Sequence, residues 1–435
     1  MKKSRLKKRY RIILYRLRSI IFLALFCVLI YIFIRLLFLK KYIEQIDFED
    51  NNLIVHVNSN DIFCILSKEE PELSDKKWTK VEEYKCNIKL EEKETNLYLK
   101  NNDKIIYSSK NDLYFKLNEN EKVYLSNNDS YNYFKYIIGN KNKINVSISD
   151  NDVINYKNGI VKSIKNGKSD IEFKYKDYSF KSSVIVTDII SNRNEYNNKE
   201  NLSCNKYNKE ESALLDEILE SKIKNVGYKT RAGVVEAARF LTLDFPYKIN
   251  YFYENGRQTT NNVDGEGRYY HKGLYLSEDK FSNLTGSSYT SNKGIWGCSI
   301  YSYPIEKKDV NGLDCSGFVS WALLNGGYDV KDVGAGWSDK LDLTDYGDVV
   351  KLNKENSLSE KIKVGDLLHS ERLGGHIAII IGKDDNYYYV AQAIWYDEIG
   401  VIVSKITKEN LYKEFGHVVL MEKYYLKDGY LTNMW

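Results

Sequence analysis

The sequence predicts an α+β domain in its C-terminal half, preceded by all-β sandwiches and one N-terminal transmembrane helix. Three observations lead to this prediction. An apolar stretch follows a strongly basic N-terminus, strand patterns separated by Asn-Gly turns fill residues 47–190, and helical patterns alternate with apolar strands beyond residue 211. The predicted segments are, in order, a basic tail, a membrane anchor, two β modules, a linker and a C-terminal domain with one insertion: residues 1–18, 19–39, 47–112, 113–190, 191–211, 212–435 and 254–311.

Length and composition exclude some classes of function. The 435 residues are enough for roughly two to four domains, and the formal charge of +4 is close to balance. Because a nearly balanced chain does not attract polyanions as a whole, no nucleic-acid partner is predicted. There are 5 histidines and neither a C-x-x-C nor an H-E-x-x-H motif, so we predict no metal site and no cofactor.

The N-terminal segment predicts a membrane anchor. Ser19–Leu39 is about the length needed to cross a bilayer, and its single charge, Arg35, lies close enough to the end to snorkel. Since basic flanks stay cytoplasmic, the protein is predicted to be a single-pass component of the cell membrane, with everything after Lys41 extracellular. A cleavable signal peptide is the alternative, although no small-x-small cleavage site follows the apolar run. The flank contains nine basic residues: Lys2, Lys3, Arg5, Lys7, Lys8, Arg9, Arg11, Arg16 and Arg18.

The next part of the chain predicts β modules. Residues 171–175 alternate between apolar and charged side chains, and Asn-Gly pairs at 158–159 and 166–167 are hairpin turn signals. Residues 146–186 resemble a bacterial immunoglobulin-like repeat of cell-surface proteins, and residues 47–110 look like a second, more diverged sandwich. Such modules bind a wall or a partner, or act as spacers. Because no ligand pocket is recognisable in them, we favour the spacer.

The sequence does not determine whether four of the cysteines are oxidised or reduced. Their spacing does not determine a connectivity, so disulfides and free buried thiols both remain possible, and free thiols are favoured. They are Cys64, Cys86, Cys204 and Cys298.

The C-terminal half is organised around a cysteine at the start of a predicted helix. Apolar residues in Ser316–Leu324 recur at helical spacing, and Asn325-Gly326-Gly327 supplies a stop. Cys315 therefore sits at a helix N-terminus, where unpaired N–H groups favour the nucleophilic thiolate. The alternative is a small buried core cysteine. About sixty residues later, Gly374–Gly382 places His376 at the mouth of an apolar strand.

Together these motifs resemble those of the NlpC-type cell-wall cysteine peptidases. The family's D-C-S-G-F-V and G-H-x-x-I-x-x-G motifs occur unbroken at 314–319 and 375–382. Its P-Y and G-D-L segments match Pro246-Tyr247 and Gly365–Leu367. The resemblance covers roughly residues 212–422, about half of the chain, and implies a papain-like fold there.

The resemblance implies a catalytic role for three residues. Cys315 would be the nucleophile and His376 the base. The family places the partner of the histidine on the next strand, just before an alanine, and Gln392 occupies that position. An amide in this position orients the imidazole by accepting its N–H. Asn386, in the turn before that strand, is the nearest rival.

Three residues are predicted to bind substrate. In some relatives the residues that correspond to Asp314 and Ser316 contact the free amine of the substrate peptide, although Asp314 also suits a helix cap. Tyr247 would border the cleft. Residues 250–252 differ from the W-G-G sequence of many family members. The residues that form the wall of the cleft are therefore not predicted. The insertion 254–311, rich in aromatic residues, is expected to fold over the cleft.

The function implied is a cysteine endopeptidase that hydrolyses peptidoglycan stem peptides at the bond from γ-D-glutamate to diaminopimelate or lysine. The predicted partners are therefore the peptidoglycan peptide and, through the N-terminal helix, the cell membrane. One alternative is an amidase or acyltransferase that uses the same Cys–His pair. The other is a protein without enzymatic activity that binds or assembles the wall.

Overall fold

The computed structural model describes most of the chain beyond residue 41. The described residues are 42–49, 52–89, 96–109, 113–115, 121–133, 137–139, 141–175, 178–252, 272–277, 295–302, 307–330, 343–371, 375–395, 400–425 and 427–429. The predicted tail and anchor, residues 1–18 and 19–39, lie outside these ranges, as does most of the predicted insertion.

Four α-helices occur in the described part of the chain. Asn208 and Glu211 form a reciprocal capping box at the first, and Thr230 caps the second by accepting the N–H of Gly233. The second helix continues into a π-helical turn, Phe240–Asp244. The helices are α1 (Lys209–Val226), α2 (Arg231–Arg239), α3 (Cys315–Gly326) and α4 (Leu411–Glu414).

Strands make up most of the regular structure. The first eleven are β1 (Ile43–Glu49), β2 (Asn52–Val57), β3 (Phe63–Ser67), β4 (Thr79–Lys80), β5 (Lys85–Lys89), β6 (Asn96–Lys100), β7 (Ile105–Ser108), β8 (Leu113–Phe115), β9 (Glu121–Leu125), β10 (Ser130–Asn132) and β11 (Ile137–Gly139). The remainder are β12 (Asn145–Ile148), β13 (Ile154–Lys157), β14 (Ile160–Ser163), β15 (Gly167–Tyr175), β16 (Tyr178–Val186), β17 (Ser299–Ser302), β18 (Lys307–Val310), β19 (Asp348–Lys351), β20 (Leu367–Ser370), β21 (His376–Lys383), β22 (Tyr387–Ile394), β23 (Gly400–Thr407) and β24 (His417–Leu420).

The predicted fold class is wrong. The described chain is mostly β-sheet, and its four helices are short, at 18, 9, 12 and 4 residues. This content does not support the predicted α+β papain-like domain. The physical reason is that motifs around a nucleophile and a base specify a few residues of local geometry. They do not determine how much of the intervening chain pairs into strands.

The prediction of a membrane anchor also has to be corrected. No helix within the described ranges is long and apolar enough to cross a membrane. This finding contradicts the predicted single-pass localisation. The membrane as a partner stays a prediction. The apolar run on which it rested, residues 19–39, lies outside the described residues.

The first of two compact units ends at Lys110. It contains a three-stranded sheet in the order β1-β2-β5 and a four-stranded sheet in the order β4-β3-β6-β7. A disulfide between Cys64 on β3 and Cys86 on β5 joins the two sheets. The expectation of free thiols is therefore wrong for this pair.

The second unit begins with a short pair of strands, β8 and β11, and with two larger sheets. One has the order β12-β15-β16-β9 and the other β10-β14-β13, with buried Ile171, Phe173 and Phe180 between them. Asn158 and Gly159, with φ of 51° and 85°, form the turn between β13 and β14. Two positive φ angles in a two-residue loop are the geometry that favours the Asn-Gly sequence.

The remainder of this unit is built on one antiparallel six-stranded sheet in the order β19-β24-β20-β21-β22-β23. Both of its faces are buried. Ile377, Ile379 and Ala391 pack with helices α2 and α3, whereas Ala378 and Val390 on the other face pack with Leu411 and Phe415 around α4. Burial on both faces explains the continuous apolar run that follows His376.

The predicted linker, 191–211, is held firmly against this part of the unit. The Arg193 guanidinium makes hydrogen bonds of 2.9 and 2.7 Å to the two oxygens of buried Asp244, and it also pairs with Glu236. A second disulfide joins Cys204 to Cys298, so the expectation of free thiols is wrong here too. Both contacts attach this polar stretch to segments more than forty residues away.

Candidate active site

The candidate site begins at the N-terminus of α3. Asp314 caps the helix because its Oδ1 accepts the N–H of Gly317 at 2.8 Å. Gly327, with a φ of 105°, ends the helix in the left-handed conformation that a side chain would strain. Cys315 is therefore the first residue of the helix. It is buried, and it is the free cysteine of the described chain.

Burial decides the protonation state of Cys315. It raises the pKa of the thiol to about 12, and the charge of Asp314 adds to the rise. The nearby backbone groups of Ile377, Ser316 and Cys315 itself lower the pKa, but by less. The prediction that the helix terminus favours a standing thiolate is therefore wrong. The resting sulfur is a neutral thiol.

His376 stands at the first position of β21. One ring nitrogen, Nε2, lies 2.7 Å from Oε1 of Gln392 on the neighbouring strand β22. The ring also stacks on Phe415, with centroids 6.0 Å apart and planes 24° apart. The hydrogen bond and the stacking together limit rotation of the imidazole.

A further contact determines which nitrogen carries the proton. Gln392 donates from Nε2 to the hydroxyl of Ser404 on β23 at 2.8 Å, so its oxygen is the atom that faces His376. An amide oxygen only accepts, and Nε2 of the imidazole must therefore be the donor. In the neutral ring Nδ1 is then the nitrogen that can take up a proton.

The thiol lies beside the same strand. The backbone of Ile377, which directly follows His376, lies close enough to the Cys315 sulfur to lower the pKa of the thiol. Burial is also the main reason that the pKa of His376 falls below its usual value, with a smaller contribution from the nearby His369. The structure thus places the neutral thiol of Cys315 beside Ile377, which directly follows the neutral imidazole of His376. This combination suits proton transfer from sulfur to nitrogen during nucleophilic attack.

The structure does not bring all of the predicted substrate residues to the same place. Ser316 is buried and its hydroxyl lies 3.3 Å from Asp314, whose carboxylate also caps α3. Tyr247 packs edge-on against Tyr207 and Phe245 and lines a groove at the outer edge of β23. It is therefore a residue of the strand edge, and a role in substrate binding stays a prediction for all three.

Asn386 is not in a position to orient the imidazole. It lies in the turn before β22, and its carbonyl accepts the N–H of Lys408 at 2.9 Å. Six residues of extended strand separate it from Gln392, which corresponds to roughly 20 Å. Gln392 is the residue that meets His376.

Sequence reasoning missed two residues that support the imidazole, Ser404 and Phe415. Ser404 is a polar residue in the apolar strand β23. It lies two residues beyond Ile402, which pairs with Gln392, and so on the same face of the sheet. A correct prediction of the strand register between β22 and β23 would have identified Ser404. Phe415 follows the short helix α4, and no local signal connects it to His376.

Comparisons with known proteins provide no identification. No family model matches the chain, and no curated protein matches it.

Proposed function

We propose that the chain is a cysteine endopeptidase that hydrolyses peptidoglycan stem peptides. The observation that carries the proposal is the arrangement around the start of β21. A free thiol at a helix N-terminus lies beside the backbone of Ile377, the residue after His376, and the ring of that histidine is hydrogen-bonded to Gln392. The four sequence motifs that resemble those of the NlpC-type peptidases support the substrate class.

The mechanism starts from two neutral groups. As the Cys315 sulfur attacks the scissile carbonyl carbon, its proton passes to Nδ1 of His376 and the carbonyl oxygen becomes an oxyanion. The N–H groups of Cys315 and Ser316, at the start of α3, are suited to stabilise that charge. Collapse of the intermediate breaks the C–N bond, and the leaving amine takes the proton from His376.

A second half-reaction restores the enzyme. The first half leaves a thioester on Cys315. His376, neutral again, takes a proton from water while the water oxygen attacks the thioester carbonyl. The C–S bond then breaks, the peptide leaves as a carboxylic acid, and the thiol recovers its proton. Water is the only co-reactant.

The direct test uses purified full-length chain and defined muropeptides, with products identified by mass spectrometry. We expect cleavage between D-glutamate and the third residue of the stem peptide. Transfer of the acyl group to an added amine in place of water would identify an acyltransferase. Release of the peptide from the sugar would identify an amidase. If no muropeptide changes in mass, the proposal is wrong.

Gln392→Ala should lower kcat by about tenfold to a hundredfold and leave KM nearly unchanged. The loss should be smaller than that for His376→Ala, because a positioned general base contributes about 10²- to 10⁴-fold. Steady-state kinetics on a muropeptide measure both values. Gln392→His should recover part of the rate, since a ring nitrogen of the introduced side chain can also accept a hydrogen bond from the N–H of His376.

Asn386→Ala is the matched control, because it changes a polar residue at the far end of the same strand. It should leave kcat unchanged. Loss of turnover in Asn386→Ala together with normal turnover in Gln392→Ala would show that another residue orients His376.

The pH dependence of kcat/KM should follow His376. Burial holds the pKa of this imidazole below 6.5, so the neutral base is complete at neutral pH and is lost as the pH falls through the lowered pKa. We expect an acid limb centred below pH 6.5. The hydrogen bond that His376 donates to Gln392 raises the pKa of the imidazole, so Gln392→Ala should move the limb to still lower pH. A limb that moves upward in this variant would contradict the assignment.

A further inference from the structure

Strand β21 contains a β-bulge at Ile381. This residue has no opposite residue on β22, because the successive pairs of the ladder are Ile380 with Val390 and Gly382 with Tyr389. A bulge leaves its extra residue out of the ladder, so the main-chain groups of that residue need other partners. Bulges are also frequent beside active sites, where they change the direction in which a side chain points.

The bulge determines on which face of the sheet His376 lies. The turn that follows Lys383 fixes the register at the far end of the hairpin. Without the extra residue, that register would place Ile379 opposite Gln392, and His376, three residues earlier, would lie on the other face. With the bulge, Ile379 pairs with Ala391, so Gln392 and His376 lie on the same face. The 2.7 Å hydrogen bond between their side chains therefore depends on the bulge.

Arg239, the last residue of helix α2, donates to the bulged residue. Its guanidinium makes two hydrogen bonds to the carbonyl oxygen of Ile381, from Nε at 2.9 Å and from Nη2 at 2.6 Å. The side chain is 2 % exposed. Because a buried donor without an acceptor is costly, these two bonds favour the bulged conformation over a regular strand.

The guanidinium remains charged although it is buried. Burial lowers the pKa of Arg239 to about 10, and the carboxylates of Glu236 and Asp244 oppose that fall. Arg239 is therefore a cation at neutral pH. Hydrogen bonds from a charged donor are stronger than those from a neutral one, which suits the stabilisation of an irregular strand.

We propose that Arg239 is a positioning residue for His376, because it fixes the bulge that keeps the imidazole on the same face as Gln392. This inference rests on the proposed peptidase function and adds a residue, remote from the substrate, on which the general base depends. The alternative is that Arg239 only stabilises the fold. The two possibilities differ in what happens to the imidazole when the guanidinium is removed.

Arg239→Met keeps nearly the length of the side chain and removes every donor. The domain should still fold, because Glu236 and Asp244 keep Arg193 as an ion-pair partner, and thermal unfolding checks this. With the base misplaced in part of the molecules, kcat on a muropeptide should fall by roughly tenfold to a hundredfold, with KM nearly unchanged. Arg239→Lys keeps a charged donor and should recover part of the rate.

Lys199→Met is the matched control. Lys199 is also a cation that donates to main-chain carbonyls, those of Thr242 and Leu243 at 2.8 and 2.9 Å, but neither of these residues belongs to β21. The control should lower the unfolding temperature, since it leaves these carbonyls without their charged donor. It should leave kcat unchanged.

Nuclear magnetic resonance measures the position of the imidazole without turnover. The full-length chain contains 5 histidines, and after ¹⁵N labelling of histidine the ring signal that is missing in His376→Ala identifies His376. In the wild type the Nε2 proton of this ring should exchange slowly with water, because Gln392 accepts its hydrogen bond. Arg239→Met should lose the slow exchange, whereas Lys199→Met should keep it.

The results separate this inference from the proposed function. If the Nε2 proton of His376 exchanges as slowly in Arg239→Met as in the wild type, Arg239 does not position the imidazole and the inference is wrong, whatever happens to kcat. Equal loss of slow exchange in Lys199→Met would refute it as well. Loss confined to Arg239→Met would support the inference even if the wild type cleaved no muropeptide, and in that case only the peptidase proposal would be wrong.

Discussion

Cys315→Ala should abolish cleavage of muropeptides, with a loss of about 10³-fold or more in kcat. The variant removes the free thiol of the described chain, and no other sulfur there can take its place, because the remaining described cysteines are paired in disulfides. The fold should persist, since only one buried atom is lost. Circular dichroism and thermal unfolding check the fold, and mass spectrometry of the products checks the rate.

Cys315→Ser is the informative companion. A hydroxyl is harder to ionise than a thiol, and burial already raises the pKa of the thiol to about 12 at this position. The serine variant should therefore be nearly as inactive as the alanine variant although it keeps the hydrogen-bonding geometry. Wild-type turnover in Cys315→Ala would refute the nucleophile and the proposed function together.

The matched cysteine control is the double variant Cys204→Ala, Cys298→Ala. It removes the disulfide that fastens the predicted linker, and should lower the unfolding temperature. Turnover per folded molecule should stay within about twofold of wild type, because neither sulfur takes part in the proposed mechanism.

Asp244→Asn should destabilise the second unit by about 3–5 kcal/mol. Asp244 is almost completely buried, accepts two hydrogen bonds from Arg193, and pairs with Lys222 at 3.3 Å. The asparagine has nearly the same shape but carries no charge. The buried Arg193 guanidinium therefore loses one of its two carboxylate partners, and Lys222 loses the carboxylate it pairs with. Thermal and urea unfolding, followed by tryptophan fluorescence, measure the loss.

The pH dependence gives the same prediction a second readout. Neighbouring cations lower the pKa of Asp244 to about 2, so the ion pair contributes stability above the ordinary aspartate pKa. That contribution is lost as the pH falls through the lowered value. The gap in stability between the wild type and Asp244→Asn should therefore narrow in acid.

The matched control is on helix α1. Glu220 pairs with Lys224 at 2.7 Å, but both side chains are largely exposed to solvent. Glu220→Ala should cost about 0.5 kcal/mol or less, because water screens such pairs. Equal losses in the two variants would show that the ions around Asp244 do not hold the linker segment in place.

Short stretches of sequence were sufficient for some of the local structure. Asp314 and the glycines after Asn325 predict the start and the end of the helix that carries Cys315, because capping depends on neighbours within four residues. The family resemblance, which places the partner of the histidine just before an alanine, also led to Gln392, and Gln392 contacts His376.

Larger-scale properties were decided by the tertiary structure. The class of fold was predicted wrongly, because the balance of strand and helix depends on pairing between distant segments such as β20 and β24. The pairing of Cys204 with Cys298 spans 94 residues, and no spacing rule reaches that far. Arg193 lies in a polar stretch with no apolar period, so its burial against Asp244 has no local signal.

The protonation state of Cys315 shows most clearly which properties follow from local sequence and which follow from tertiary structure. Sequence alone determined that Cys315 lies at a helix N-terminus, and hence that N–H groups act on its sulfur. Only the tertiary structure decided that the thiol is neutral, because desolvation comes from chain segments that pack over the helix start. Local order determines which groups are neighbours in the chain, whereas packing determines how much water they lose, and here the loss of water has the larger effect on the pKa.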